Sequence, residues 1–472
     1  MQRWFFPVLI LALAAPCAAQ TPDPAHAGPE AQTAPKQAST LLEAFEHGHF
    51  HGHFRSFFMA TDNARQLSDY HAWAVGGGLH FASAPWRGFS FGLGGVFNYR
   101  LLASDLSLRD PATNAANRYE IGLFDIEDPH NGEDLDRIEE LWLRYARKKT
   151  QVTLGQQSVQ TPFINDQDGR MRPTAEAGAW LVSDDLKHTR IEGGWIWAIS
   201  PRSTVRWYGV GHSIGIYPQG LNPDGSSSGY AQHLHSAGVG MLGIRRQVGP
   251  QLRWQLWNQY VSGIFNTAFA QADYQRPLGS AGRSKLLLGL QYTHQDALRH
   301  GGNADPAKAY FPKNGKSNVL SMQAGLEQGP WTLLAAYTRI GAAGRFLAPR
   351  EWGREPFYTF MQRERIEGSG DTHAATARLR WSGAHEKLRL ELAYGHFQLP
   401  DIRNAALNKY AFPAYRQLNL DARYSFGGPL KGLRMQLLWV WKGRLGDMPG
   451  DDRYVINRVD MHHFNCILNY TY

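Results

Sequence analysis

Apolar and polar positions alternate with period two along most of this chain. From Leu388 to Tyr394, Leu388, Leu390, Leu392 and Tyr394 fall on one face, and Arg389, Glu391 and Ala393 on the other. Leu418, Leu420, Ala422, Tyr424 and Phe426 stand opposite Asn419, Asp421 and Arg423. Leu286, Leu288, Leu290 and Tyr292 oppose Lys285, Gln291 and Thr293, and Leu320, Met322, Ala324 and Leu326 oppose Ser321, Gln323 and Glu327. Side chains that turn over at every residue belong to strands with one apolar and one polar face. The runs are about ten residues long, against a globular mean of about five or six. About ten residues is what a tilted strand needs to cross a bilayer. Aromatic residues gather near the strand ends, at Trp331, Tyr337, Trp381, Tyr394, Tyr424, Phe426, Trp439 and Trp441, as in the interfacial girdles of transmembrane barrels.

The connections alternate between short and long. Short ones are expected at 147–150, 200–202, 247–250, 328–330, 382–387 and 427–432, and long ones at about 101–136, 158–188, 213–235, 295–316, 341–370 and 399–415. Between them the pattern predicts an all-β protein, a transmembrane antiparallel β-barrel of about eighteen strands with short periplasmic turns and long extracellular loops. A soluble sandwich or propeller would explain the alternation, but not the strand length, the loop asymmetry or the aromatic ends. In lipid every backbone polar group must be paired, so the sheet must close. The final segment, 454–472, is expected to pair with the strand beginning near His53. Phe464, Cys466, Leu468, Tyr470 and Tyr472 share its lipid face, and the terminal aromatic Tyr472 reads as the signal for the barrel-assembly machinery.

Composition narrows the class. Of 472 residues 43% are hydrophobic and only 19% charged, below the roughly 25% usual in soluble domains. Past residue 19 no apolar run approaches the roughly 18 residues of a spanning helix. Residues 1–19 read as a secretory signal: Arg3, an apolar stretch through Ala15, and the small-x-small site Cys17-Ala18-Ala19. Residues 20–40 are expected to be a disordered Pro/Ala-rich periplasmic tail, and 41–472 the outer-membrane barrel. Cys466 is alone in the body, so no intramolecular disulfide framework is available. Lysine and arginine number 49 against 41 acids, net +8. Behind an export signal, that surplus suits an anion-attracting lumen better than nucleic acid.

Three stretches resemble the OprD family of substrate-specific outer-membrane porins. His53–Asp62 is similar to its first strand. Val152–Gln156, followed by Gln160-Thr161-Pro162, Arg170, Pro173 and Gly178, is similar to the strand leading into its infolded third loop. Asn419–Tyr424 with Gly428–Leu433 is similar to its penultimate hairpin. The resemblance runs from about residue 41 to 472. It implies a pore narrowed by inward loops, a ladder of basic side chains, and small carboxylate-bearing solutes. One strand departs from the pattern: the lumen face of 433–442 reads Arg434, Gln436, Leu438, Val440 and Lys442, neutral in its middle.

The candidate chemistry lies in the lumen. Parity sets Arg144, Arg206, Arg253, Arg378, Arg380, Arg389, Arg423 and Arg434 opposite the apolar face, with the acids Glu391 and Asp421 among them. A charge on the lipid face costs about 2–4 kcal/mol near the midplane, so inward pointing is expected. Such a row supplies fixed positive potential and bidentate carboxylate binding, unless Glu140, Glu192, Glu391 or Asp421 pairs with each guanidinium. Asp166, Asp168, Arg170, Arg172 and Glu176 in the loop 158–188 are expected to form a constriction. His47, His49, His51 and His53 share one face of an extended segment. No acid or cysteine in sequence completes a Zn or Ni ligand set, so the row reads as a polar face leading into the first strand. Gly225-Ser-Ser-Ser-Gly229 and Gly238-Val-Gly-Met-Leu-Gly243 match a nucleophile elbow and a nucleotide loop in letters only, because no helix follows either. No cofactor is expected.

The pattern therefore points to a non-enzymatic channel for passive diffusion of small hydrophilic, anionic or carboxylate-bearing solutes. It would sit in outer-membrane lipid as a monomer or weak homotrimer. An outer-membrane barrel enzyme of lipase or protease type would need Ser, His and an acid clustered at one rim, and a non-conducting binding barrel would need a plug.

Overall fold

Alternation with an apolar outer face is satisfied by bending one sheet until its edges meet. The computed structural model describes residues 37–166, 170–279, 284–383, 387–446 and 450–472, and its sheet does close. After a short helix α1 (Leu41–Glu46) the strands are β1 (His49–Asp62), β2 (Tyr70–Ala82), β3 (Phe89–Ala103), β4 (Arg137–Arg147), β5 (Thr150–Gln157), β6 (Ala175–Ser183) and β7 (Thr189–Ser200). Next come a two-residue stub β8 (Tyr208–Gly209) and a single helical turn α2 (Val210–Ser213). The wall resumes with β9 (Val239–Val248), β10 (Leu252–Val261), β11 (Phe265–Leu278), β12 (Ser284–Ala297), β13 (Lys316–Gln328) and β14 (Trp331–Ile340). It ends with β15 (Thr372–Ser382), β16 (Leu388–Gln398), β17 (Tyr415–Ser425), β18 (Leu433–Arg444) and β19 (Met461–Thr471). Without the stub the wall is eighteen antiparallel strands. β19 pairs with β1 from His53↔Thr471 to Asp62↔His462, which removes the last edge.

The molecule is apolar outside and polar inside. Leu141, Leu154, Leu290 and Leu333 are each more than half exposed, whereas Gln291, Thr293, Gln295, Ser321, Gln417, Asn419 and Asn465 are buried. This inversion is the arrangement of a wall between lipid and an aqueous lumen. Trp331 packs near Trp381 with ring centroids 6.4 Å apart, and Tyr424 near Phe426 at 4.8 Å, at the short-turn end.

Three boundaries differ from the sequence reading. The last strand, read as 454–472, begins only at Met461, because residues 452–454 make a short helical turn. The span 158–188 is not one loop: β6 and β7 are joined by a short turn at 184–188, so the loop is 158–174 and Glu176 belongs to the wall. Ser200-Pro201-Arg202 is not a short turn but the start of the long loop 201–238. Proline has no N–H to extend a ladder. In addition, the Arg137 guanidinium gathers Ser200 Oγ at 2.8 Å and the Pro201 carbonyl at 3.1 Å, bending the chain off the wall.

Candidate functional pore

Five of the expected lumen arginines do line the inner wall, at its periplasmic half. Arg378 and Arg380 lie on β15, Arg389 on β16, Arg423 on β17 and Arg434 near the start of β18, all on the faces that carry buried neighbours such as Thr376, Ala393 and Asn419. Their charges are not equally available. Arg380 pairs with Glu391, and Arg423 with Asp421 at 3.0 Å. Gln436 also donates to Asp421 at 2.9 Å. Arg378 instead donates to the carbonyl of Phe360, which orients a guanidinium without cancelling its charge. Arg389 stands directly across from Arg423. Arg144 faces inward on β4, held to Thr153 at 3.0 Å and stacked over Trp142. Arg253 shares the inward parity of Trp257 and Gln259 on β10.

Arg206 does not belong with them. It lies in the loop after β7, is exposed, and its carbonyl accepts from Ser200 Oγ of that strand. The period-two count that placed it inward assumed a strand where the chain has already left the wall.

The loop 158–174 does turn into the barrel, but its basic residues have different tasks. Arg172 is 1% exposed and clamps the carbonyls of Leu135 and Phe124. It is a strut between this loop and the loop 104–136, not a pore group. The Arg170 carbonyl accepts from Arg55 of β1, and its side chain reaches the cavity described below. Asp166 is half-buried, and Asp168 lies outside the described residues. Glu176, on β6, is buried and accepts from the Val159 N–H at 3.0 Å.

A second inward loop, 341–371, was not expected to enter the lumen. It crosses from one side of the barrel to the other. Tyr358 donates to Asp273 of β11 at 2.7 Å, Thr359 to Thr338 of β14 at 2.7 Å, and Gln417 of β17 to the Gln362 carbonyl at 2.7 Å. Arg363 reaches Asn465 of β19. Its buried residues Phe346, Leu347, Trp352, Phe357, Met361 and Ile366 form a core within the barrel. That apolar content was the legible signal, since a solvent-facing loop has no use for it.

Above this crossing the loops enclose a cavity of about 410 Å³. Among the described residues Arg118, Arg170, Arg202, Arg350, Arg363, Arg365, Arg453 and Arg458 line it with one acid, Glu364; Arg350 is also paired with Glu367 and Arg453 with Asp451, each at 2.6 Å. Glu364 is the hub: Lys442 lies 3.0 Å away, Arg118 3.1 Å and Arg350 3.8 Å. Burial alone would raise its carboxyl pKa, but these cations outweigh burial and hold it down at about 2. Arg458 donates to the carbonyls of Tyr410 and Ala411 at 2.9 and 2.8 Å. Burial, with Arg118 beside it, lowers its pKa to about 10, so it stays charged at neutral pH.

This architecture has close counterparts among solved structures. Pseudomonas aeruginosa OccK9 (OpdG) superposes with a TM-score of 0.69 at 16% identity, covering 91% of this chain and 99% of that one. Acinetobacter baumannii OccAB3 gives 0.69 at 17% identity, covering 90% and 99%. Pseudomonas aeruginosa OpdK, solved with vanillate, gives 0.66 at 15%, covering 91% and 99%. At such identities the likeness speaks for the fold. No curated protein matches by sequence. The family profile described as outer membrane porin, OprD family, matches residues 43–361. With the closed barrel, the inverted polarity and the inward loops, this places the protein in the bacterial outer membrane: the chain belongs to the OprD family of outer membrane porins.

Proposed function

We propose that this porin conducts small hydrophilic anions, with carboxylates as the preferred class. The observation that carries the reading is the cavity whose described wall holds eight arginines and one glutamate, a surplus of positive charge that remains after Arg350 pairs with Glu367 and Arg453 with Asp451. Low-dielectric walls focus the field of fixed charges into the opening they surround, and a guanidinium fork matches a carboxylate bidentately. Arg378 extends positive charge below the crossing loop. OpdK was solved with vanillate, a carboxylate-bearing solute, and the cavity here offers the chemistry such a group needs. The reading includes export by residues 1–19, insertion guided by the exposed terminal Tyr472, and a monomer or weak homotrimer in the membrane.

The test is the reversal potential of the purified channel in a planar bilayer across a tenfold KCl gradient. Anion preference is expected, together with competitive reduction of current by a millimolar monocarboxylate. Cation preference would mean that acids outside the cavity wall outweigh its arginines, and would overturn the reading.

A further inference from the structure

The histidine row at the start of the barrel acquires partners that the sequence keeps far apart. His51 on β1 stands directly across from His80 on β2. Their rings stack with centroids 4.8 Å apart and planes 10° apart. His53, two residues on and therefore on the same face, stacks on His80 at 5.9 Å. Along the same row His80 pairs with Gly94 of β3, and Gly94 with Glu140 of β4. Glu140 thus faces His80 across a glycine, Oε1 to Nδ1 3.6 Å.

Two glycines make this arrangement possible. A Cβ on Gly94 would lie 2.1 Å from His80 Nδ1, and one on Gly78 would lie 2.6 Å from His53 and 2.8 Å from His80 Nε2. The notch they leave admits one ring that reaches a carboxylate on one side and two imidazoles on the other. His80 is 6% exposed, and its Nδ1 faces the Glu140 carboxylate at ion-pair distance but beyond that of a hydrogen bond. His51 is exposed and opens the cluster to the lumen.

We propose that His51, His53, His80 and Glu140 bind one divalent cation of the Zn²⁺, Ni²⁺ and Cu²⁺ class on the lumen wall, toward the periplasmic end of β1–β4. Neutral imidazole and carboxylate are the donors these borderline ions take. The rings now stack rather than converge, and no preformed ligand group exists among the described residues. Binding turns His51 and His53 about their side-chain torsions so that one nitrogen of each meets the ion beside His80. The nearby cations are already engaged elsewhere. Arg55 holds Asn469 at 2.6 Å and the Arg170 carbonyl, and Arg144 holds Thr153 and lies over Trp142. His49 is the next residue along the face.

The experiment is titration calorimetry of the refolded, tag-free full chain in detergent with ZnCl₂ at pH 7.5. One equivalent is expected with micromolar or tighter affinity. Affinity should weaken at least tenfold in His80→Gln and in Glu140→Gln, because each removes one of the donors. Each variant is first checked for the heat-dependent gel shift of a folded barrel. If His80→Gln does not fold, His53→Gln serves with the same expected loss. No saturable binding by the wild type would overturn the site. So would binding that survives both substitutions unchanged, because the ion would then sit outside the proposed site.

Discussion

At the scale of single residues, the contact between Glu364 and Lys442 joins the crossing loop to the wall. Lys442 is fully buried at the extracellular end of β18, and its ammonium donates to Glu364 at 3.0 Å, to Tyr119 at 3.1 Å and to the Arg363 carbonyl at 3.2 Å. Losing one member of such a cluster leaves the others charged and dry, which commonly costs about 3–5 kcal/mol. The pH dependence follows from Glu364. Its carboxyl titrates at about 2 in the folded protein, below the ordinary 4.5. The stabilisation it gives is therefore present above pH 4.5 and lost as pH falls toward 2. The difference corresponds to roughly 3 kcal/mol. Single-channel recordings from pH 6 to pH 2.5 are expected to show steady conductance down to about 4.5 and then growing open-channel noise as the loop loosens. Glu364→Gln should show that noise already at pH 6, with little further change. Identical pH profiles for the two proteins would place the loop's anchor elsewhere.

At the scale of the element, β16 shows what the alternation could and could not reveal. Its lipid face, Leu390, Leu392 and Tyr394, and its lumen face, Arg389, Glu391 and Ala393, were legible because a one-residue slip would turn every leucine inward. In a Cys466→Ser background, a membrane-impermeant thiol reagent should label a cysteine at 389 and not at 390. The reverse would mean the register is wrong. The loops obey no such period. Arg206 was misplaced because the letters after Ser200 continue to alternate while the chain is drawn inward by Arg137. The crossing loop 341–371 was legible as a length with an unusual apolar content, but not as a crossing. Its contacts are to β11, β14, β17 and β19, and pairings so distant in sequence leave no local trace. Nor could the sequence show that Gly94 lets His80 face Glu140. That depends on the stagger of four strands.

At the scale of the whole molecule, selectivity is set by which fixed charges remain uncompensated along the path. The sequence counts five arginines against two acids on β15–β18, and the structure divides them. Arg380 and Arg423 are each matched by a carboxylate, whereas Arg378 is aimed by a backbone carbonyl of the crossing loop. An ion passing Arg380 meets a dipole with Glu391, whose field falls off quickly, whereas Arg378 lies farther from that carboxylate and makes its hydrogen bond to a neutral carbonyl, so more of its charge is presented to the ion. Arg378→Gln is therefore expected to lower the anion-to-cation permeability ratio more than Arg380→Gln does. An amide can still donate to the Phe360 carbonyl, so the loop should stay in place and conductance in 1 M KCl should change little. The contrast belongs to dilute solution. Screening length is about 30 Å at 0.01 M salt and about 8 Å at physiological strength, so the effect should be largest in 10 mM KCl and fade as salt rises. Reversal potentials of the three proteins across a gradient at low and high salt decide the matter. Equal shifts for the two substitutions would show that the Arg380–Glu391 pair does not act as a compensated unit. No shift for either would move the selective element up to the arginine-lined cavity above the crossing loop.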